Sequence, residues 1–291
     1  MNKRTIVNWF ILFILSLMWG SSFILMKKSL LVFNYIEVGF LRLLIAFVIL
    51  SPLLLTSLRR VEKKHIIPLL IVSLIGTVIP AILFAKSQVF LDSSVAGMLN
   101  ALTPIFTLII GILFFNRTTW NTRSLIGIII GLMGTYILLS PSTIENNNIL
   151  YSLLIIFATI CYALSINTIK DKLDTLNSLD IAVISSFFSA VIPVVYLSSK
   201  NTNIVITKIY LHFDYFIYLL ILGIICTSLA IILFNFLIKR SSALFASSTT
   251  YLIPIFAIIW GTIDSEIIQS HELIGITVIL TGVFIMNYKR V

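Results

Sequence analysis

The feature that most constrains this chain is a series of ten apolar runs, each close to 20 residues long and separated by short connections. They cover about residues 6–26, 36–55, 66–88, 94–115, 123–140, 149–169, 179–198, 215–238, 243–263 and 272–288. A helix rises about 1.5 Å per residue, so roughly 20 residues cross a hydrocarbon core of about 30 Å. Backbone in lipid must satisfy its own hydrogen bonds, and the alternation of β-barrel strands is absent, so the runs are predicted to be helices. Only 11% of the residues are charged and 59% are apolar. Soluble domains carry about 25% charged residues, and a globule this poor in charge could not cover its surface with polar groups. The fold class that follows is all-α integral membrane, with ten transmembrane helices.

The net charge of +9 could suggest a nucleic-acid partner, but that requires basic residues gathered on one solvated face. Here they punctuate the apolar runs, so nucleic acid is excluded and membrane lipid is the expected environment. Alternate connections differ in Lys and Arg content, which sets orientation. With the amino terminus inside, the cytoplasmic set is Lys3, Arg4, Arg59, Arg60, Lys63, Lys64, Arg117, Arg123, Lys170, Lys172, Lys239, Arg240, Lys289 and Arg290. The opposite set is Lys27, Lys28, Lys200 and Lys208. Fourteen against four places both termini in the cytoplasm, in agreement with an even number of spans. The first run has no small-residue cleavage pattern after it, and reads as an uncleaved first helix of a cell-membrane protein. Cys161 and Cys226 stand alone inside apolar runs, so neither a disulfide framework nor a metal site is indicated, and no motif implies a cofactor.

An internal repeat divides the chain. Pro104-Ile105-Phe106 and Gly111 recur as Pro254-Ile255-Phe256 and Gly261, offset by 150 (254 − 104). Gly127 and Gly134 recur as Gly275 and Gly282, offset by 148 (275 − 127). The recurrence links helices four and five to nine and ten, so the unit is five helices: residues 1–141 and 142–291. An odd number of crossings turns the second unit upside down relative to the first. Inverted repeats characterise secondary transporters, whose sites lie near the midplane between the halves.

Trp19-Gly20, Leu41-Arg42, Ser94-Val95-Ala96 before Pro104, Ser242-Ala243, and Pro254 followed by Gly261, Glu266 and Gly275 occur in an order that resembles the EamA family of the drug/metabolite transporter superfamily. The resemblance covers nearly the whole chain. It implies ten helices in two repeats and the export of amino acids or other metabolites, relatives moving sugars or nucleotide-sugars. Asn116-Arg117-Thr118 replaces a glutamate that many members carry, and Tyr162-Ala163 stands where Trp-Ala is common.

Candidate cavity residues are few because polar groups inside spans are few. Pro104 and Pro254 are expected to kink their helices mid-span and line the cavity, with Asn100, Thr103 and Thr250 a turn away as polar contacts. Packing kinks are the competing reading. Trp19, Ser21 and Ser22 form a small polar patch beside an indole, suited either to a substrate or to close helix packing. Tyr162 is a candidate aromatic wall. Arg42 is costly inside an apolar run; it either binds a substrate carboxylate or snorkels outward to pair with Glu37 or Asp92. Asn167 and Asn235 could line a path or bond between helices. Gly127 and Gly131 read as helix packing, Glu266 and His271-Glu272 as solvated loop charge, and the sequon at Asn116 as coincidence.

Three function classes compete. A secondary transporter of small metabolites such as amino acids, exporting across the cell membrane, needs an inverted repeat and sparse intramembrane polar groups. Both are present; uptake of sugar-like substrates is the alternative within this class. An intramembrane enzyme needs a reactive constellation at depth, but His65, His212 and His271 lie at helix edges or in loops, and neither HExxH nor GxSxG occurs. A scaffold has little use for an inverted repeat. The sequence leaves monomer or homodimer open.

Overall fold

The computed structural model describes residues 3–115, 122–138, 146–199 and 202–287. These are helical nearly throughout, with no strand among them. The main helices are α1 (Lys3–Ser29), α2 (Tyr35–Leu58), α3 (Lys63–Ser87), α4 (Ser93–Phe115), α5 (Thr122–Leu138), α6 (Asn146–Lys172), α7 (Ser178–Ser199), α8 (Phe213–Arg240), α9 (Ala243–Ile263) and α10 (Ser270–Asn287). A short helix, Thr202–Leu211, precedes α8. Eight are long and apolar enough to cross a membrane, while α5 and α10 contribute the shorter apolar stretches Leu125–Leu138 and Ser270–Ile285. The protein is therefore a multi-pass membrane protein. The boundary at 141 and 142 and the sequon at Asn116 lie outside the described residues.

Large apolar side chains cover the outside, among them Phe10, Phe13, Leu55, Leu113, Phe114 and Phe284. Such a surface suits lipid, and lipid supplies no hydrophobic force between helices. Close approach at small residues replaces it. A Cβ on Gly282 would lie 2.6 Å from the Gly127 carbonyl oxygen, and one on Gly275 2.6 Å from the Leu138 nitrogen. The glycines of α5 and α10 thus bring those two helices together backbone to backbone, which is the packing role expected of Gly127 and Gly131. Gly20 of α1 likewise lets α9 approach, fitting against the Phe256 side chain and, at 3.0 Å for an added Cβ, the Ile253 carbonyl oxygen. Asn167 donates to the carbonyl of Thr107 on α4 at 3.0 Å, an interhelical bond.

Four interruptions shape the interior. α3 and α8 each contain a wide turn of π-helix, Leu74–Val78 and Ile224–Leu229. α4 stops at Asn100 and restarts at Thr103; α9 tightens into a 3-10 turn at Ser248–Tyr251 and restarts at Ile253. This corrects the expectation for Pro104 and Pro254. Each sits in the first turn of a restarted segment rather than mid-helix, where its missing N–H lacks an intrahelical partner anyway. The chain accommodates the prolines by breaking before them.

Candidate functional site: a central cavity

The interruptions surround a cavity lined by residues of α1–α4 and α6–α9, with about 1010 Å³ of empty space including its open mouth. Asn100, Arg42 and Thr250 each lie seven residues past the first residue of their helices, about 10.5 Å in at 1.5 Å per residue. That is about a third of the way along each span. Of the sequence candidates, Trp19, Ser22, Arg42, Asn100, Thr103, Tyr162 and Thr250 line it. Ser21, Pro104 and Pro254 do not. Both prolines are buried in packing. Ser21 lies on another face of α1, where its hydroxyl accepts from the Trp260 indole at 2.8 Å; one residue of helix rotates a side chain by about 100° away from Ser22.

Aromatic rings form two walls. Trp19 packs edge-on against Phe234, ring centroids 4.7 Å apart, and its indole N–H donates to the Cys226 carbonyl at 3.1 Å. Tyr162, also in the lining, stacks on Phe84, which meets Phe23. Arg42 does not snorkel to Glu37 or Asp92 as one reading expected. Its Nε and Nη2 both donate to Thr227 Oγ1, at 3.2 and 3.1 Å. Glu37 is taken by Lys208 at 2.9 Å and Asp92 by Lys27 at 2.8 Å, so neither is left for Arg42.

Lining residues recur at two fixed sequence offsets. Trp19, Ser22, Met26 and Arg42 stand 143 positions before Tyr162, Ser165, Ile169 and Ser185 (162 − 19; 185 − 42). Gly76, Thr77, Phe84 and Asn100 stand 150 before Cys226, Thr227, Phe234 and Thr250 (227 − 77; 250 − 100). The two π-turns begin 150 positions apart as well (224 − 74). In each, the threonine hydroxyl donates to the carbonyl five residues back, Thr77 to Val72 at 3.1 Å and Thr227 to Leu222 at 2.7 Å. Sequence reasoning missed Phe84, Ser165, Thr227 and Phe234, although the signal was legible. Ile82-Leu83-Phe84 recurs as Ile232-Leu233-Phe234 at the offset that Pro104 and Pro254 already define.

Polar locks lie beyond the cavity. At one end Glu266, expected to be solvated, has a side chain only 2% exposed. It accepts from Lys27 Nζ at 2.7 Å, from the Ser93 amide and hydroxyl at 2.9 and 2.7 Å, and from the Ser94 amide at 3.0 Å. A carboxylate from beyond α9 thus caps the start of α4, where orphan N–H groups favour negative charge. Burial alone would raise its pKa; the bonds from Lys27, Ser93 and Ser94 outweigh it and hold the group at about 2. The chain reaches this position through a helix stop at Ser265, whose φ of 65° is left-handed. There Glu266 N–H closes onto the Gly261 carbonyl and Ser265 N–H onto Thr262. At the other end Asp180 accepts from Ser57 at 2.8 Å and Arg60 at 3.1 Å, and Lys170 donates to the Ser241 carbonyl at 2.5 Å.

Fold and cavity together define a polytopic membrane protein with a cavity at its centre. No His, Cys, Asp and Glu cluster able to hold a metal occurs among the described residues. A sequence model of the EamA-like transporter family matches residues 8–140 and again residues 149–288. The chain belongs to the EamA-like transporter family, within the drug/metabolite transporter superfamily, and its members are secondary transporters rather than enzymes. It is similar to an uncharacterized transporter of Archaeoglobus fulgidus, 22% identical over 97% of this chain and 99% of that protein. A crystal structure of a protein covers 96% of this chain and 96% of its own, with a TM-score of 0.66 at 13% identity, a likeness of fold alone.

Proposed function

We propose that this protein exports small metabolites such as amino acids across the cytoplasmic membrane by alternating access, as two inverted five-helix repeats, residues 1–141 and 142–291, with both termini in the cytoplasm. The observation that carries the reading is the central cavity, bounded by residues of both halves and lined by Arg42, Asn100, Thr250 and other polar side chains between aromatic and aliphatic ones. The two family matches, one in each half, support the repeat. The 14-to-4 distribution of Lys and Arg supports the orientation. Alternating access requires one end of the cavity to seal while the other opens, and the Glu266 and Asp180 clusters are the seals this reading assigns.

The test is counterflow in proteoliposomes holding the purified chain, preloaded with unlabelled amino acids and given labelled ones outside. Uptake above that of protein-free vesicles is the expected result. Absence of flux for every amino acid, from monodisperse folded protein, sinks this substrate class.

A further inference from the structure

We infer that the cavity recognises its cargo by a carboxylate held on Arg42, and that the cargo requires no ammonium group. The inference rests on the transport reading and deepens it at the same site. A guanidinium presents five N–H donors. Arg42 directs Nε and Nη2 at one acceptor, Thr227 Oγ1. Among the described residues no carboxylate lies within 4.0 Å of it, whereas Glu37, Asp180 and Glu266 each hold a basic partner. A lone cation at membrane depth is expensive unless it faces water or a counter-ion, and Arg42 faces the cavity.

The rest of the lining narrows the chemistry. Among the described residues that line the cavity there is no Asp, Glu, Lys or His, so its charge is a single positive. One carboxylate neutralises it, and Arg is suited to hold a carboxylate by two parallel bonds. A doubly charged phosphate would leave one negative charge unmatched, and an amine would add a second positive one. The recurrence along the lining breaks at this point. The counterpart of Arg42 is Ser185, and that of Asn235 is Ala85. Asn235 is 2% exposed, lines the cavity and has no hydrogen-bond partner for Nδ2. Both departures therefore supply donors and neither supplies an anionic acceptor. The Trp19–Phe234 and Phe84–Tyr162 walls suit an apolar body behind the carboxylate.

The experiment is thermal unfolding of the purified full-length protein with 3-phenylpropionate, phenylalanine, 3-phenylpropanamide, phenethylamine or phenyl phosphate. 3-Phenylpropionate should raise the melting temperature most; phenylalanine, whose ammonium meets no anion in the lining, should raise it less, and the amide, amine and phosphate far less. Arg42→Gln should weaken the 3-phenylpropionate response about tenfold or more, the loss of a charge-assisted hydrogen bond. Arg42→Lys should recover part of it, which a purely structural arginine would not do. An equal response to the amide, amine or phosphate overturns the inference, as does a carboxylate response unchanged in Arg42→Gln or missing altogether. Counterflow on the same preparations separates the two claims. Flux without charge selection removes the Arg42 anchor and leaves transport; Arg42-dependent carboxylate binding without flux removes transport and leaves the anchor.

Discussion

The π-turn of α3 and the π-turn of α8 are the same device in two settings. Each widens one turn at the cavity wall, and in each a threonine hydroxyl fills the gap by bonding five residues back. Thr227 additionally receives Arg42, while among the described residues no cation donates a hydrogen bond to Thr77. Gly76 of the first turn would drive a Cβ to within 2.2 Å of Ser165 Oγ; the second has Cys226 at that position, and its carbonyl serves Trp19. The difference teaches how a repeated frame becomes a selective site. Recurring residues supply walls, breaks and widened turns, and a few non-recurring side chains supply the charge.

The comparison breaks most visibly at the two threonines. Thr227→Val strips Arg42 of its acceptor and is expected to cost about 1.5–3 kcal/mol, against about 0.5–1.5 for Thr77→Val. Thermal unfolding of both in one detergent checks this, and equal losses would make the two turns equivalent after all. Gly76→Ala should cost about 1–3 kcal/mol by overpacking against Ser165. Adding Ser165→Gly should restore most of it, whereas Cys226→Ala should be tolerated. If the double variant is no more stable than the single, the tight contact is not what fixes glycine there.

The lock at Glu266 makes a pH-dependent contribution. Its carboxyl sits at about 2 in the folded protein, against an ordinary value of 4.5. A depressed carboxylate stabilises the fold fully above its unfolded value, and that contribution disappears as pH falls through about 4.5 toward 2. Melting temperatures of wild type and Glu266→Gln should differ at pH 7 and converge across that window. A constant gap would remove the ionised group from the account. The smallest effect belongs to the prolines. Pro104→Ala and Pro254→Ala should each cost about 0.4–1 kcal/mol, acting through the unfolded chain. Both should insert normally and lower flux, because the break that holds Asn100 and Thr250 at the cavity is then free to heal into continuous helix. Wild-type flux in both would detach the breaks from function.

Much of the architecture was legible because lipid imposes simple rules. A span must be helical, apolar and about 20 residues long, and the chain advertises each in plain sequence. α5 and α10 show the limit of this, because the spacing of their glycines marks close packing without saying that the partner is the other of the two helices. The site was legible in part. Trp19, Arg42, Asn100 and Thr250 stood out as rare polar or aromatic groups at depth. Phe84 and Phe234 did not, because one phenylalanine among 21 carries no mark of its own. Only their shared offset separates them from lipid-facing rings.

By itself the sequence determined that this protein is a membrane bundle, where its repeated positions fall and which polar groups must be accounted for inside it. These follow from composition and spacing, which one residue at a time can satisfy. The tertiary structure alone decided that Pro104 begins a helix, that Ser21 turns away while Ser22 turns in, that Glu266 caps a helix some 170 residues earlier (266 − 93), and that Arg42 meets Thr227 rather than Glu37. Those outcomes depend on which partner arrives at a given point in space. A hydrogen bond is won by geometry between distant segments, and no local pattern encodes the competitor it displaces.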